Sequence, residues 1–261
     1  MSGLLERIVA SKRAEVAALK KTVRAPSRRE TCDVVRALRR PSELALITEV
    51  KFRSPSAGAL SRVMDLSARV SAYARAGAAM ISVLCDQPFF DGSYEDLQRA
   101  RRTLDGAFSH VPILAKEFVI DPVQLEVARA EGADAALLIA RILPGDALAR
   151  LSDACRALRL EPFVEVADED ELARALDVGS RVIGVNARDL DTLAMDPARA
   201  EHVVARIPAS CVAVHFSGVR GEEDVARIAG TRADAALVGE SLMREDDPFN
   251  LLKRMLARAS R

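Results

Sequence analysis

Eight short apolar runs, separated by segments of helical character, constrain this chain more than any other feature. The runs lie at 45–50, 80–84, 112–115, 135–139, 163–166, 182–185, 211–214 and 235–238, with helical segments such as 67–76, 122–131, 169–176 and 221–228 between them. Runs this short and this apolar suit parallel strands covered on both faces. Right-handed crossovers let eight βα units close into a barrel. The expected class is therefore α/β, a (β/α)8 TIM barrel. The 261 residues suit one such domain, since eight units typically need about 250. An open doubly wound sheet is the competing architecture, but no GxGxxG follows any of the runs.

The joins between helix and strand repeat a similar text. Arg-Ala-Gly-Ala-Ala stands at 75–79, Arg-Ala-Glu-Gly-Ala-Asp-Ala at 129–135 and Arg-Ala-Asp-Ala-Ala at 232–236. Gly77 and Gly132 suit the left-handed position just past a helix end. The period is too irregular for a solenoid, so the likeness reflects repeated βα units. Before the first run, Leu4, Leu5, Ile8, Val9, Val16 and Leu19 recur at roughly helical spacing, with Glu6, Arg7, Lys12, Arg13 and Glu15 between them, as in an amphipathic helix. A second helix is expected over 30–40, stopped by Pro41. Residues 1–43 thus form a helical extension expected to cover the barrel bottom or rim; a peripheral partner-binding helix is the alternative.

Charge excludes some partners. Lys+Arg and Asp+Glu each number 38, and Trp is absent, so neither a basic excess nor stacking side chains argue for nucleic acid. No apolar run nears 18 residues, and Leu4-Leu5-Glu6-Arg7-Ile8-Val9 is too charged for a signal sequence. No membrane association is expected, and the expected compartment is the cytoplasm. Cys32, Cys85, Cys155 and Cys211 are far apart without a CxxC pair, which argues against zinc and against a disulfide framework. Cys155 and Cys211 are expected as small apolar fillers of a helix and a strand. His110, His202 and His215 do not cluster, so neither a histidine triad nor a metal site is supported, and His202 is expected to face solvent.

The strand ends carry the chemistry. Lys51, Lys116, Glu165 and Asn186 each stand at or just past the end of an apolar run, where a barrel keeps its active site. Glu49 and Lys51 alternate with Val50 and so share the barrel-facing side. Lys116 and Glu165 are candidate acid and base, with a structural ion-pair network as the alternative. Asn186 and Arg188 extend the polar set. The loop Lys51-Phe52-Arg53-Ser54-Pro55-Ser56-Ala57-Gly58 offers hydroxyls beside two cations, suited to an anionic group, or else forms a solvated turn. After the last two strands, Phe216-Ser217-Gly218-Val219-Arg220 and Gly239-Glu240-Ser241-Leu242-Met243 place small residues where barrels commonly bind phosphate.

These residues resemble a known family. Ile47 to Gly58 is similar to the first-strand signature of indole-3-glycerol-phosphate synthases, and Phe90-Asp91-Gly92-Ser93-Tyr94-Glu95-Asp96-Leu97 to their second-strand segment. Lys116-Glu117-Phe118-Val119-Ile120-Asp121-Pro122, Val164-Glu165-Val166, Gly184-Val185-Asn186-Ala187-Arg188-Asp189-Leu190 and Leu237-Val238-Gly239-Glu240-Ser241-Leu242-Met243-Arg244 continue the likeness, in order, over nearly the whole chain. The resemblance implies a cofactor-free, metal-free lyase that closes, decarboxylates and dehydrates 1-(2-carboxyphenylamino)-1-deoxyribulose 5-phosphate. It implies Lys116 as general acid, Glu165 as base, Lys51 as phosphate ligand or second acid, and Glu49 as the group steering the lysines. Asn186 and Arg188 would orient the substrate, and Ser54, Phe90, Phe118 and Ser217 would line its site. Gly218, Gly239 and Ser241 would hold the phosphate. A small-molecule phosphosugar–anthranilate substrate and a monomer or weak homodimer follow from the same likeness.

Five positions depart from the resemblance. Phe216 stands where the family usually has Glu, Ala115 where Arg is common, Ala57 where Lys is common, Cys85 where Thr is usual, and Glu117 where Asp is usual. A phenyl ring at 216 removes an acceptor and narrows or dries the pocket. A paralogue of altered activity in a specialised indole pathway, or another phosphosugar-binding barrel enzyme, are the competing functions, and a non-catalytic ligand-binding member is a third.

Overall fold

A closed parallel barrel organises the chain. The computed structural model describes residues 3–21 and 29–260. Its strands are β1 (Ala45–Val50), the short β2 (Arg53–Ser54) and β3 (Gly58–Ala59), β4 (Met80–Leu84), β5 (Ile113–Lys116), β6 (Ala135–Ile139), β7 (Glu161–Val166), β8 (Val182–Asn186), β9 (Val212–Phe216) and β10 (Ala235–Val238). β2 and β3 pair as a hairpin outside the barrel, whose order is β1-β10-β9-β8-β7-β6-β5-β4. The helices are α1 (Leu4–Leu19), α2 (Val34–Leu38), α3 (Leu66–Ala76), α4 (Gln87–Phe90), α5 (Tyr94–Leu104), α6 (Pro122–Ala130), α7 (Ala147–Ala157), α8 (Glu169–Asp177), α9 (Pro197–Val204), α10 (Glu222–Ala229), α11 (Glu240–Arg244) and α12 (Phe249–Ala257). A (β/α)8 barrel with an N-terminal helical extension is the architecture expected from the apolar rhythm.

Strand alternation sorts the core into two layers. Ala45, Ile47, Leu114, Leu137, Phe163, Val212, Val214 and Phe216 pack together inside the barrel. Their neighbours Leu46, Ile113, Leu138, Val164, Ala213 and Val238 pack outward against the helices. Side chains alternate across a strand, so both faces are apolar and buried and the strands read as continuous apolar runs.

Local signals set the helix starts. Asp65, Asp168 and Asp196 each accept a backbone N–H three residues on, and Asp121 with Gln124 completes a capping box on α6. Gly77 and Gly132 have φ of 109° and 101°, the left-handed ends read from the sequence.

The boundaries moved at several points. β5 begins one residue later than the apolar run, and β7 begins at Glu161, two residues earlier. β9 runs to Phe216 because Asn186 pairs with it across the sheet, a ladder that hydrophobic pattern alone does not reveal. The helix expected at 30–40 is only α2: Asp33 caps it by accepting from Arg36 N–H, while Cys32 N–H is drawn off to Asp134 Oδ1.

The extension is divided between both ends of the barrel. Asp134, before β6, also accepts from Ile113 N–H, so residues near Cys32 are tied to the bottom. α1 instead crosses the mouth. Leu5 N–H donates to Asp191 Oδ1 after β8, and Lys12 reaches Asp86 and Glu117 after β4 and β5. Residues 1–2 and 22–28 of the expected extension lie outside the described residues.

Candidate active site

The C-terminal ends of the strands open into a cavity of about 940 Å3. Alternation delivers its polar groups: Glu49 and Lys51 continue the inward side of β1 past Ala45 and Ile47, Lys116 follows Leu114, Glu165 follows Phe163, and Asn186 follows Gly184. All five line the cavity.

These groups form a trio and a pair. Lys116 Nζ donates to Glu165 Oε2 at 3.1 Å, and Asn186 Nδ2 donates to Glu165 Oε1 at 2.9 Å. Lys51 Nζ donates to Glu49 Oε2 at 2.7 Å. Burial alone would raise the Glu49 carboxyl, but Lys51 and Lys116 pull it below its ordinary value, so it stays anionic. The Asn186 oxygen accepts from Ser217 Oγ at 2.8 Å and from the Arg188 N–H at 3.0 Å, which fixes the amide with its nitrogen toward Glu165.

Apolar groups form the rest of the wall. Phe90 and Phe118 lie 5.8 Å apart between ring centroids, tilted by 35°. Leu137, Ile139 and Leu237 face the same space, and Leu4, Leu5 and Ile8 of α1 cover it. Phe216 is buried beneath, 5.3 Å from Phe163, with Lys116 Nζ 4.7 Å from its ring centroid.

Two loops complete the mouth. Ser217 and Gly218 take φ of 70° and 80°, and Ser241 Oγ donates to the Val219 carbonyl, joining the loops after β9 and β10. Gly239 is required by close approach: a Cβ there would meet Glu49 Oε2 at 2.6 Å.

The sequence profile described as indole-3-glycerol phosphate synthase matches residues 5–255. The chain belongs to the indole-3-glycerol phosphate synthase family. Relatives bearing that name agree. One from Parafrankia sp. strain EAN1pec is 43% identical over 92% of this chain and 87% of its own length. Indole-3-glycerol phosphate synthase 1 of Streptomyces coelicolor is 44% identical over 90% of this chain and 85% of its own. A solved 3-hexulose-6-phosphate synthase shares the fold with a TM-score of 0.65 at 15% identity, covering 83% of this chain and all of that one.

In this indole-3-glycerol phosphate synthase family member, the residues singled out by sequence all reach one cavity: Glu49, Lys51, Ser54, Phe90, Lys116, Phe118, Glu165, Asn186, Arg188, Ser217, Gly218, Gly239 and Ser241 line it. Some are engaged within the protein. The Ser54 hydroxyl accepts from Ala57 N–H and so caps its own loop, and Arg188 donates to the Leu193 carbonyl. Gly239 makes room for Glu49 in addition to shaping the loop.

Lys12 stands among charged residues in the sequence, yet its side chain is fully buried, 2.8 Å from Asp86 Oδ2 and 3.0 Å from Glu117 Oε1. The spacing of α1 places Lys12 on the face of Leu5, Ile8 and Val16, but it gives no sign of these carboxylates, which come from strand ends far along the chain. His202 is exposed on α9 beside Glu169, as expected, and Cys155 and Cys211 are buried. His215 is buried on β9 and points away from the barrel interior, where burial lowers its pKa. Among the described residues no helix is long and apolar enough to cross a membrane.

Proposed function

We propose that the protein converts 1-(2-carboxyphenylamino)-1-deoxyribulose 5-phosphate to indole-3-glycerol phosphate, with release of carbon dioxide and water. The observation that carries this reading is the Lys116–Glu165 contact of 3.1 Å at the head of a cavity that has an apolar wall on one side and small-residue loops on the other. Ring closure joins an aryl carbon to the substrate ketone. Lys116 donates a proton to the oxygen of that ketone as negative charge develops there. Loss of carbon dioxide from the same aryl carbon restores aromaticity. The hydroxyl then leaves as water, and Glu165 accepts the proton shed by the new five-membered ring. Each well-oriented acid or base typically supplies about 10²–10⁴-fold.

The remaining residues bind and orient. Phe90 and Phe118 with Leu137 and Ile139 suit the aryl group, while Ser54 and Arg188 suit its polar edge. Ser217, Gly218, Gly239 and Ser241 suit the phosphate, with Lys51 near enough to neutralise it or to act as second acid. Glu49 holds Lys51, and Asn186 holds Glu165. Folding the chain between two anionic handles brings ring carbon and carbonyl together, a gain from orientation.

The test is turnover of that substrate, followed by the appearance of indole fluorescence. The wild-type protein should produce it and Lys116→Ala should not. An undiminished rate in Lys116→Ala would remove Lys116 from the acid's role.

A further inference from the structure

We propose that Phe216 is a positioning residue for Lys116: its ring is the floor on which the ammonium rests, held there by Phe163 and admitted by the missing side chain of Gly184. This deepens the proposed reading of Lys116 as proton donor and rests on it. Lys116 is the third-strand-end cation, on a flexible four-carbon stem that by itself fixes no direction. Two contacts fix it here. Glu165 Oε2 lies 3.1 Å to one side of Nζ, and the Phe216 centroid lies 4.7 Å from it. The negative face of an aromatic ring attracts an ammonium without taking its proton and without competing for it as a hydrogen-bond acceptor. A carboxylate or amide in the same place would do one or the other.

The ring is itself immobilised. Phe216 is 1% exposed, and its centroid stands 5.3 Å from that of Phe163, tilted 34°. A Cβ at residue 184 would meet Phe216 Cε2 and Cζ at 2.8 Å and Phe163 Cε2 at 3.1 Å. Contacts that close leave no room for a side chain at 184 while the ring keeps its place. Gly184, Phe163 and Phe216 therefore act together, on three adjoining inward positions of β8, β7 and β9. Of the other charged groups lining the cavity, Glu49 at the end of β1 is bonded to Lys51 and also attracts Lys116, while Arg188 donates to the Leu193 carbonyl. Glu117, next to Lys116 on the chain, turns outward to Lys12.

Stepwise fluorination of the Phe216 ring, by site-specific incorporation, weakens its negative face while nearly keeping its shape. The turnover number should fall with each added fluorine, reaching roughly tenfold at three, with KM changed less than about twofold. A turnover number indifferent to fluorination would overturn the proposal, since packing alone is indifferent to the ring's charge distribution. A second measurement needs no substrate and so separates this proposal from the functional reading. In protein carrying 13C-lysine, the Lys116 side-chain methylene signals, assigned by their absence in Lys116→Arg, should be shifted upfield by the ring current. That shift should vanish in Phe216→Leu. Methylene signals at ordinary positions in the wild type would overturn the proposal whatever the enzyme turns over.

Discussion

Lys12 Nζ stands 3.0 Å from Glu117 Oε1, and this contact joins the helix that covers the cavity to the residue following Lys116. Asp86 Oδ2 lies 2.8 Å from the same nitrogen. Burial alone would lower the Lys12 pKa, but Glu117 and Asp86 more than reverse that and hold it charged. Glu15, partly exposed on the same helix, pairs with the Lys12 nitrogen as well at 2.7 Å, whereas Lys12, Asp86 and Glu117 are buried, so their charges depend on one another.

Replacing Lys12 by Met should therefore cost far more than a surface substitution. It keeps the apolar stem but leaves Asp86 and Glu117 in the interior with no cation. Losing one partner of a buried ion pair typically costs about 3–5 kcal/mol. Chemical denaturation of the variant should register a loss of that order. A loss under about 1 kcal/mol would mean that the cluster contributes little.

Glu117 should make stability depend on pH. Burial pushes its carboxyl from 4.5 up to about 7, although Lys12 pulls the other way. A carboxyl raised on folding contributes stability that is fully present below the unfolded value and is lost as pH rises through the folded one. The window is thus about pH 4.5 to 7, and the loss is at most about 3 kcal/mol. Glu117→Gln has no proton to lose, so its stability should fall less than that of the wild type between pH 5 and pH 8. Parallel denaturation curves for the two proteins across that range would refute the assignment.

Glu165→Gln should fold normally and turn over poorly. The amide keeps the shape and can still meet Asn186 or Lys116, but it cannot take a proton. A fall in kcat of about 10²–10⁴-fold is expected, with a near-native melting curve. Retention of more than a tenth of the wild-type kcat would exclude Glu165 as the base.

Gly239→Ala tests the packing of a loop on a charge. The added methyl would stand 2.6 Å from Glu49 Oε2, the atom bonded to Lys51, so the carboxylate must shift. Overpacking of this kind typically costs about 1–3 kcal/mol. The expected result is a lower turnover number together with modest destabilisation, read by steady-state kinetics and thermal melting. Wild-type kinetics would show that the Glu49–Lys51 pair tolerates displacement.

Much of the barrel was legible in the chain because its strands are buried on both faces. Ala45–Val50 and Ala135–Ile139 coincide with their apolar runs, since every residue in them is buried whichever way it points. Where a strand end carries polar or aromatic inward residues, as at Asn186 and Phe216, the run stops before the ladder does. Glu49, Lys51, Lys116 and Glu165 could be named in advance, because alternation carries the inward direction past the end of the apolar run. Lys12 could not be. Helical spacing reports which residues share a face, and says nothing of what that face meets.

Composition and period alone determined that this chain builds parallel βα units and that its charged strand-end residues converge on one mouth, for both follow from rules that act between near neighbours. Only closure of the barrel decided which charges meet. It brought Lys12 to Glu117 across 105 residues and Lys116 to Glu165 across 49, and it slid the Phe216 ring into the space left at Gly184. Such pairings are chosen by strand register and burial, which exist only once the sheet has closed.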